Sequence, residues 1–247
     1  MEKLNQATVR KITSEFYSRF CGIDLADLKA GIHFVCFDER GEEVKGFGCK
    51  YTIYTLHRDD LLVVSYSPDY CDLIESLKNC TIIEEILDAL NQKFKLRKMQ
   101  LMQFEHERVR DYGNAKVLQK KDYALYEKFF CLQHPSADPS GWLQEYFEEK
   151  TAKEYFVGYV VNGSLVSVCD APDMPFMEDI IQHTGIVTLT EERRKGYAKC
   201  TAALAAHQLI ENGVCPQWEC RSDNDASIAL AESIGYQKYG VAYILEE

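Results

Sequence analysis

The most informative segment of the sequence is Thr188-Leu189-Thr190-Glu191-Glu192-Arg193-Arg194-Lys195-Gly196-Tyr197-Ala198. Residues 181–189 predict a strand, and residues 198–212 predict a helix that Gly213 closes. The first N–H groups of a helix have no intrahelical acceptor, and the helix dipole adds partial positive charge at the same end. A basic loop between such a strand and helix therefore predicts an anion site, or else an ordinary solvated loop.

The segments around this loop predict a mixed sheet flanked by helices. Residues 155–161 and 165–169 predict a hairpin, because the Asn162-Gly163 pair between them favours a type I′ turn. The further predicted strands are 115–118, 217–220 and 239–245, and the further predicted helices are 123–132, 142–149 and 225–234. The order β-α-α-β-β-β-α-β-α-β follows.

The first part of the chain predicts a small α+β unit. An amphipathic helix over residues 8–20 precedes strands at 33–37, 47–56 and 61–67, for which the simplest interpretation is an antiparallel meander. Helices at 70–77 and 82–94 and a strand at 99–104 complete the unit. Turn-forming residues at 106–114 predict a boundary, with an N-terminal α+β domain of unknown role at 1–113 and a second domain at 114–247.

Two motifs in this order resemble the GNAT superfamily of N-acetyltransferases. Arg193-x-x-Gly196-x-Ala198 resembles the superfamily's pyrophosphate-binding loop, and Asn224, at the start of the next predicted helix, precedes a closing Gly235-Tyr236. The resemblance covers roughly residues 114–247. It implies a GNAT-like α/β (α+β) fold there and acetyl-CoA as co-substrate.

The resemblance also implies a cofactor site. The loop's main chain would hold the pyrophosphate, the backbone of the preceding strand would align the pantetheine arm, and the next helix would add polar contacts. Asn224 equally suits a purely structural helix cap. The implied cofactor-binding residues are Ile186, Val187, Thr188, Arg193, Arg194, Lys195, Gly196, Tyr197, Ala198, Asn224 and Ser227.

Acetyl transfer to an amine requires a base, because a primary amine is mostly protonated near pH 7. Glu219 lies five residues before Asn224, where some members of the superfamily carry a catalytic Glu, and its side chain should face away from those of its strand neighbours. His183 and Glu178 are the alternatives, and an ordinary strand residue remains an open interpretation of Glu219.

Two family features are missing from the sequence. Position 231, where the superfamily often has a Tyr that protonates the departing thiolate, is Ala231, and the region of Gln182 lacks an acidic residue. Water or Tyr236 would have to supply the proton, or catalysis has been lost.

The predicted function is an N-acetyltransferase acting on a primary amine of a small molecule or protein by direct attack in a ternary complex. The alternative is a non-catalytic acyl-CoA-binding or interaction module; a nucleotide-binding loop is disfavoured because no GxxxxGK[ST] or GxGxxG occurs.

Composition limits the partners and the compartment. A formal net charge of −11 disfavours nucleic acid, and no 18-residue apolar stretch predicts a membrane span. The N-terminus does not resemble a signal peptide, and 10 scattered cysteines without CxxC spacing indicate reduced thiols rather than a disulfide framework or a metal site. We therefore expect a cytoplasmic protein without a metal cofactor, and the oligomeric state stays open.

Overall fold

The structure is a computed structural model that describes residues 2–247. Within that range the chain forms seven α-helices and twelve strands. The helices are α1 Gln6–Cys21, α2 Cys71–Leu77, α3 Ile83–Lys93, α4 Tyr123–Gln133, α5 Leu143–Ala152, α6 Tyr197–Glu211 and α7 Asp225–Ile234. The strands are β1 Gly31–Cys36, β2 Glu43–Val44, β3 Cys49–Arg58, β4 Leu61–Tyr66, β5 Arg97–Phe104, β6 Ala115–Val117, β7 Val157–Val161, β8 Ser164–Asp170, β9 Ile181–His183, β10 Gly185–Thr188, β11 Cys215–Arg221 and β12 Tyr236–Glu246.

The first helix shows why the periodic segments fold as predicted. Asn5 caps α1 by accepting a hydrogen bond from the Thr8 N–H, at 2.9 Å. The apolar residues at three- and four-residue steps are all buried, so one stripe of the helix faces the core. Those residues are Val9, Ile12, Phe16 and Phe20. The prediction of a helix over residues 8–20 is confirmed.

The large sheet has the order β1-β4-β3-β12-β5-β11-β9, and the short β2 pairs with β3. β3 and β4 form the expected antiparallel pair, but β1 runs parallel to β4, from the pair Gly31 and Leu61 to the pair Cys36 and Tyr66. The predicted antiparallel meander is therefore wrong in its first strand. The alternation of residue types in β1 is the same for both directions, so the sequence pattern cannot distinguish them.

Strand β5 joins the two parts of the chain. It lies between β11 and β12 and pairs antiparallel with both, so a strand from the first 113 residues is in the interior of a sheet that the last residues complete. Strands from both sides of position 113 thus share one sheet. The division into domains at 1–113 and 114–247 stays a prediction.

The small sheet has the order β10-β8-β7-β6. The predicted hairpin is confirmed, since β7 and β8 pair antiparallel around Asn162 and Gly163, whose φ values are 49° and 75°. Two positive φ values in succession are the signature of a type I′ turn, and they explain why Asn-Gly occupies it. The hairpin gives the small sheet its central pair of strands.

Helices cover both faces of both sheets. Val168 packs in an aromatic cluster with residues of α4 and α5, whereas its neighbour Cys169 packs with Ala205 of α6. Neighbouring strand residues point to opposite faces, so α6 and the α4–α5 pair lie on opposite sides of the small sheet. The mixed sheet flanked by helices that the sequence predicts is confirmed. No helix within residues 2–247 has both the length and the apolar composition needed to cross a bilayer.

Candidate active site

The two sheets separate along one stretch of chain. Residues 181–189 were expected to form one strand, but β9 ends at His183 and β10 begins at Gly185. β9 pairs in parallel with β11, up to the pair His183 and Gln217, whereas β10 pairs with β8 of the small sheet. The chain crosses between the sheets at Thr184, whose N–H and hydroxyl both donate to the Gln217 carbonyl at 3.0 Å. A gap therefore opens between β10 and the end of β11.

The main chain of β10 presents polar groups to this gap. The Leu189 N–H donates to the Val166 carbonyl at 3.0 Å, and the direction of backbone groups alternates along an antiparallel ladder. The N–H and C=O groups of Val187 therefore point toward β8, while those of Ile186 and Thr188 point away from β8. Consistent with this, the Thr188 carbonyl accepts from Arg193 Nε at 3.3 Å. Two of the three predicted arm-binding residues thus have backbone groups on the gap side.

The loop after β10 exposes the first turn of α6. Gly196 is the N-cap, with φ of 87°, and no side chain accepts from the first-turn N–H groups. Arg194 also has a positive φ, 62°, which is uncommon for a residue with a Cβ. A backbone that alternates between right-handed and left-handed conformations turns successive N–H groups toward one side and forms an anion-binding nest. Space around Gly196 is open, because a Cβ built there has no heavy atom within 4 Å.

The side chains of the loop lie beside this turn. Arg193, Arg194 and Lys195 are exposed, and Lys195 Nζ pairs with Glu192 at 2.9 Å. The ring of Tyr197 stacks on Tyr159 of β7 with centroids 4.5 Å apart, which fixes the start of α6 on the small sheet. Ala198 follows in the same turn and is half-buried. The loop therefore combines main-chain N–H donors with exposed positive charge.

Asn224 is the N-cap of α7, since its Oδ1 accepts from the Ser227 N–H at 3.1 Å. The structural interpretation of Asn224 is thus observed, and a ligand contact through its amide nitrogen stays a prediction. The Ser227 hydroxyl accepts from Trp218 Nε1 at 3.1 Å, so its lone pair on that side is used within the protein. Both residues lie just beyond the end of β11.

A cavity of about 270 Å³ lies at the point where the strands separate, and we call it the Glu219 cavity. Glu219 comes two residues after the last β9–β11 pair, on the same face of β11 as Gln217. His183 and Gln217 also line the cavity, with Pro172 and Met174 on the loop above them. As expected, the Glu219 side chain faces away from Trp218, which packs against Tyr236 on the other face.

Glu219 is held in a hydrogen-bonded group. Its Oε1 accepts from the Tyr17 hydroxyl at 3.0 Å and from Gln217 Nε2 at 3.1 Å. Burial raises the pKa of Glu219 to about 7, although the Tyr17 hydrogen bond and the positive charge of Arg97 act to lower it. A carboxylate whose pKa lies near neutrality can accept and return a proton at the pH of the cell. This is the property required of the base predicted at this position.

His183 lies beside Glu219 but differs from it in protonation state. Its Nε2 accepts from the Glu219 main-chain N–H at 3.2 Å, and burial lowers the pKa of its ring to about 4. This hydrogen bond assigns the ring proton to Nδ1. The imidazole is therefore neutral, with its basic nitrogen already occupied, and holds the two separating strands together.

Glu178 does not line the Glu219 cavity. Its exposed carboxylate lies 3.6 Å from Lys45 Nζ and 3.5 Å from Lys153 Nζ. Asp179, its neighbour, pairs with the same Lys153 at 2.8 Å. The structure thus brings together two of the three candidate bases and leaves the third in a surface ion-pair cluster.

Ala231 occupies the position at which a Tyr would protonate the departing thiolate, and it is fully buried. The hydroxyl of Tyr236 lies 3.4 Å from Thr184 Oγ1, at the crossing between the sheets. Burial raises the pKa of Tyr236, so its phenol is protonated at neutral pH. The Tyr236 hydroxyl is thus hydrogen-bonded to Thr184, the residue at which the two sheets separate.

The first part of the chain supplies much of the Glu219 cavity, which sequence reasoning missed. Phe20 of α1, Tyr54 of β3 and Arg97 of β5 line it, and Tyr17 of α1 donates to Glu219 from outside the lining. Arg97 is fixed by Glu246 at 2.7 Å and by the Tyr51 hydroxyl at 2.7 Å. The periodicity of residues 8–20 marks a buried stripe, but no local signal shows that Tyr17 lies against a residue about 200 positions away.

One group of side chains within residues 2–247 has the spacing of metal ligands, namely Glu107, His207 and Glu211. Lys3 Nζ forms a salt bridge with Glu211 and lies 3.9 Å from Glu107, so an internal cation already lies between these carboxylates. We assign no metal to this cluster. It lies outside the Glu219 cavity.

Comparison with known proteins adds a family and a fold. The family described as GNAT acetyltransferase matches residues 55–243. A Bacillus subtilis protein described as an uncharacterized N-acetyltransferase, YdfB, is 32% identical over 109 residues, which cover 43% of this chain and only 41% of that relative. An acetyltransferase from the GNAT family of Colwellia psychrerythraea, 13% identical, superposes over 98% of this chain and 97% of its own with a TM-score of 0.54. That likeness shows a shared fold.

Proposed function

This chain belongs to the GNAT acetyltransferase family, and from that premise we propose that it is an N-acetyltransferase moving an acetyl group from acetyl-CoA to a primary amine of a small molecule or protein. The observation that carries the proposal is the Glu219 carboxylate, with a pKa of about 7, in a cavity at the point where β10 and β11 separate. The amine would attack acetyl-CoA directly, in a ternary complex.

The cofactor would lie along the gap between β10 and β11. The main-chain N–H groups of residues 194–198 would hold the diphosphate, supported by the Gly196 cap that lacks a side-chain acceptor. Backbone groups of Ile186 and Thr188 would align the pantetheine arm, because they point away from β8. The exposed Asn224 amide nitrogen would add a contact at the far side. In this arrangement the thioester end reaches the Glu219 cavity.

Glu219 would act on the acceptor amine. The carboxylate takes the proton that the ammonium group must lose before its nitrogen can attack the thioester carbonyl. Burial keeps the proton affinity of Glu219 high, while Tyr17 and Gln217 hold the carboxylate in one orientation. The departing thiolate would be protonated by water or by Tyr236. A thiol pKa of about 8.5 makes the thiolate a tolerable leaving group without a strong acid.

The acceptor would approach from the side of the first 113 residues. Phe16 and Phe20 of α1 and Tyr54 of β3 form an apolar wall of the Glu219 cavity. None of the residues that line the cavity belongs to the loop at 193–198. We therefore propose that the N-terminal part of the chain shapes the acceptor site.

The protein would act in the cytoplasm and would not bind nucleic acid. A net charge of −11 disfavours nucleic acid as acceptor or partner. Each of the ten cysteines is free within the described structure, an arrangement that suits a reducing compartment such as the cytoplasm.

The experiment compares the protein with its Glu219→Gln variant on acetyl-CoA and a panel of primary amines. Because the protein itself has ten cysteines, released CoA is separated by chromatography instead of being measured with a thiol reagent. We expect Glu219→Gln to lower kcat about 100-fold or more, with the dissociation constant for acetyl-CoA within about twofold of the original. Glu84→Gln, an exposed carboxylate on α3, is the matched control and keeps full turnover.

Equal turnover by the Glu219→Gln variant would contradict the assignment of the base. The second candidate function, a non-catalytic acyl-CoA-binding or interaction module, is favoured by the buried Ala231 and by Gln182. Gln182 donates to the Pro172 carbonyl at 2.8 Å, so it supports the loop rather than the chemistry. Binding of acetyl-CoA without CoA release on any amine would select this second function.

A further inference from the structure

A second cavity of about 220 Å³ lies on the opposite side of the small sheet from α6, and we call it the aromatic pocket. Tyr126 and Phe130 of α4 form one wall, and Trp142 and Tyr146 at the start of α5 form the other. The Phe130 and Trp142 rings meet edge to face with centroids 5.5 Å apart, and Trp142 and Tyr146 are 6.4 Å apart. The two aromatic walls therefore meet at Phe130 and Trp142.

Asp170, the last residue of β8, also lines the aromatic pocket. It forms no salt bridge within the described part of the chain, and the one hydrogen bond that acts on its pKa comes from its own backbone. Burial raises the pKa of Asp170 to about 6, so the carboxylate is ionised above pH 7. A partly desolvated carboxylate without a counter-ion is costly unless a cation joins it.

The one basic side chain among the described residues that line the pocket is His134, and it forms no salt bridge with Asp170. The lining of the aromatic pocket contains neither Lys nor Arg among residues 2–247. The nearby buried Lys150 is committed elsewhere, since its Nζ pairs with Asp173 at 2.6 Å. The Tyr146 hydroxyl is also committed, because it donates to the Ala171 carbonyl at 3.2 Å. Asp170 is the one acidic side chain in the lining, and it has no salt-bridge partner among residues 2–247.

We propose that the aromatic pocket binds an organic ammonium group, with Asp170 as its counter-ion and the rings of Tyr126, Phe130, Trp142 and Tyr146 around it. Aromatic faces attract cations through their quadrupole, and desolvation strengthens that attraction. The carboxylate adds direct charge complementarity. Together they select a small alkylammonium compound over a neutral molecule of the same shape.

The site is distinct from the Glu219 cavity, since the two share no lining residue. It nevertheless lies close to the separation of the sheets. Asp170 is paired with Gly185, and a Cβ built on Gly185 would lie 2.3 Å from Asp170 Oδ1. Gly185 thus leaves room for the carboxylate. The proposal requires neither turnover nor bound CoA, so it can fail or succeed separately from the proposed function.

Calorimetric titration tests the inference with two probes of matched shape, choline and the neutral 3,3-dimethylbutan-1-ol. We expect choline to bind at least tenfold more tightly than the alcohol, and Asp170→Asn to remove that preference. Trp142→Leu, at a ring that is 46% exposed, should also weaken choline by several-fold without disturbing the fold. Glu145→Gln, an exposed carboxylate of α5 outside the pocket, is the control and keeps the affinity of the original.

Equal affinities for choline and the alcohol, or no binding of choline, would overturn the proposal. Unchanged choline affinity in both Asp170→Asn and Trp142→Leu would overturn it as well. Thermal unfolding of each variant shows whether it is folded, and Trp142→Leu keeps the test valid if Asp170→Asn fails to fold.

Discussion

Replacing Glu219 by Gln should change the pH dependence of stability in a way the structure predicts. The ordinary Glu pKa is 4.5, and burial raises that of Glu219 to about 7. The folded protein therefore holds a proton that the unfolded chain has lost between these values, and stability falls as pH rises through this window. At about 1.4 kcal/mol for each pH unit, the loss amounts to about 3 kcal/mol. Gln cannot ionise, so the variant lacks this loss.

The measurement is the free energy of unfolding of both proteins at pH 4.5 and pH 8, from urea denaturation. We expect Glu219→Gln to gain about 3 kcal/mol relative to the original between the two pH values, equivalent to roughly 6 to 12 °C in Tm for a chain of this size. Glu84→Gln serves as control and should follow the original within about 0.5 kcal/mol. A stability difference independent of pH would show that the pKa of Glu219 is not raised in the folded protein.

Three further predictions follow from single contacts. Gly196→Glu places bulk and negative charge at the α6 cap and should weaken acetyl-CoA at least tenfold by calorimetry; unchanged affinity would count against the loop as the diphosphate site. Tyr17→Phe removes a hydrogen bond that lowers the pKa of Glu219, so the rising limb of kcat/KM against pH should move to higher pH, and a shift to lower pH would disprove that role. Gly163→Ala puts a Cβ at a φ of 75° in the hairpin turn and should cost about 1 kcal/mol in urea denaturation, whereas a stabilised variant would show that the turn is not type I′.

The sequence predicted the elements that depend on local chemistry. The Asn162-Gly163 turn specifies its own backbone angles, and the apolar stripe of residues 8–20 specifies a helix and its buried face. The loop from Arg193 to Ala198 could be placed at a helix start for the same reason. Signals of this kind lie within a few residues of the structure that they determine.

The remaining features depend on distant partners. The sequence does not predict the direction of strand β1, because parallel and antiparallel strands of its length look alike in sequence. The break at Thr184 depends on its contacts with Gln217, and the insertion of β5 between β11 and β12 depends on the whole sheet. Likewise, Glu219 could be proposed from its distance to Asn224, but its partner Tyr17 could not.

The most direct test of the account is a crystal structure of the protein with CoA bound. We predict diphosphate oxygens within hydrogen-bonding distance of the main-chain N–H groups of residues 194–198, and the pantetheine arm beside Ile186 and Thr188 with its sulfur directed toward the Glu219 cavity. A structure in which CoA binds elsewhere, while side chains close the space between β10 and β11, would contradict the account.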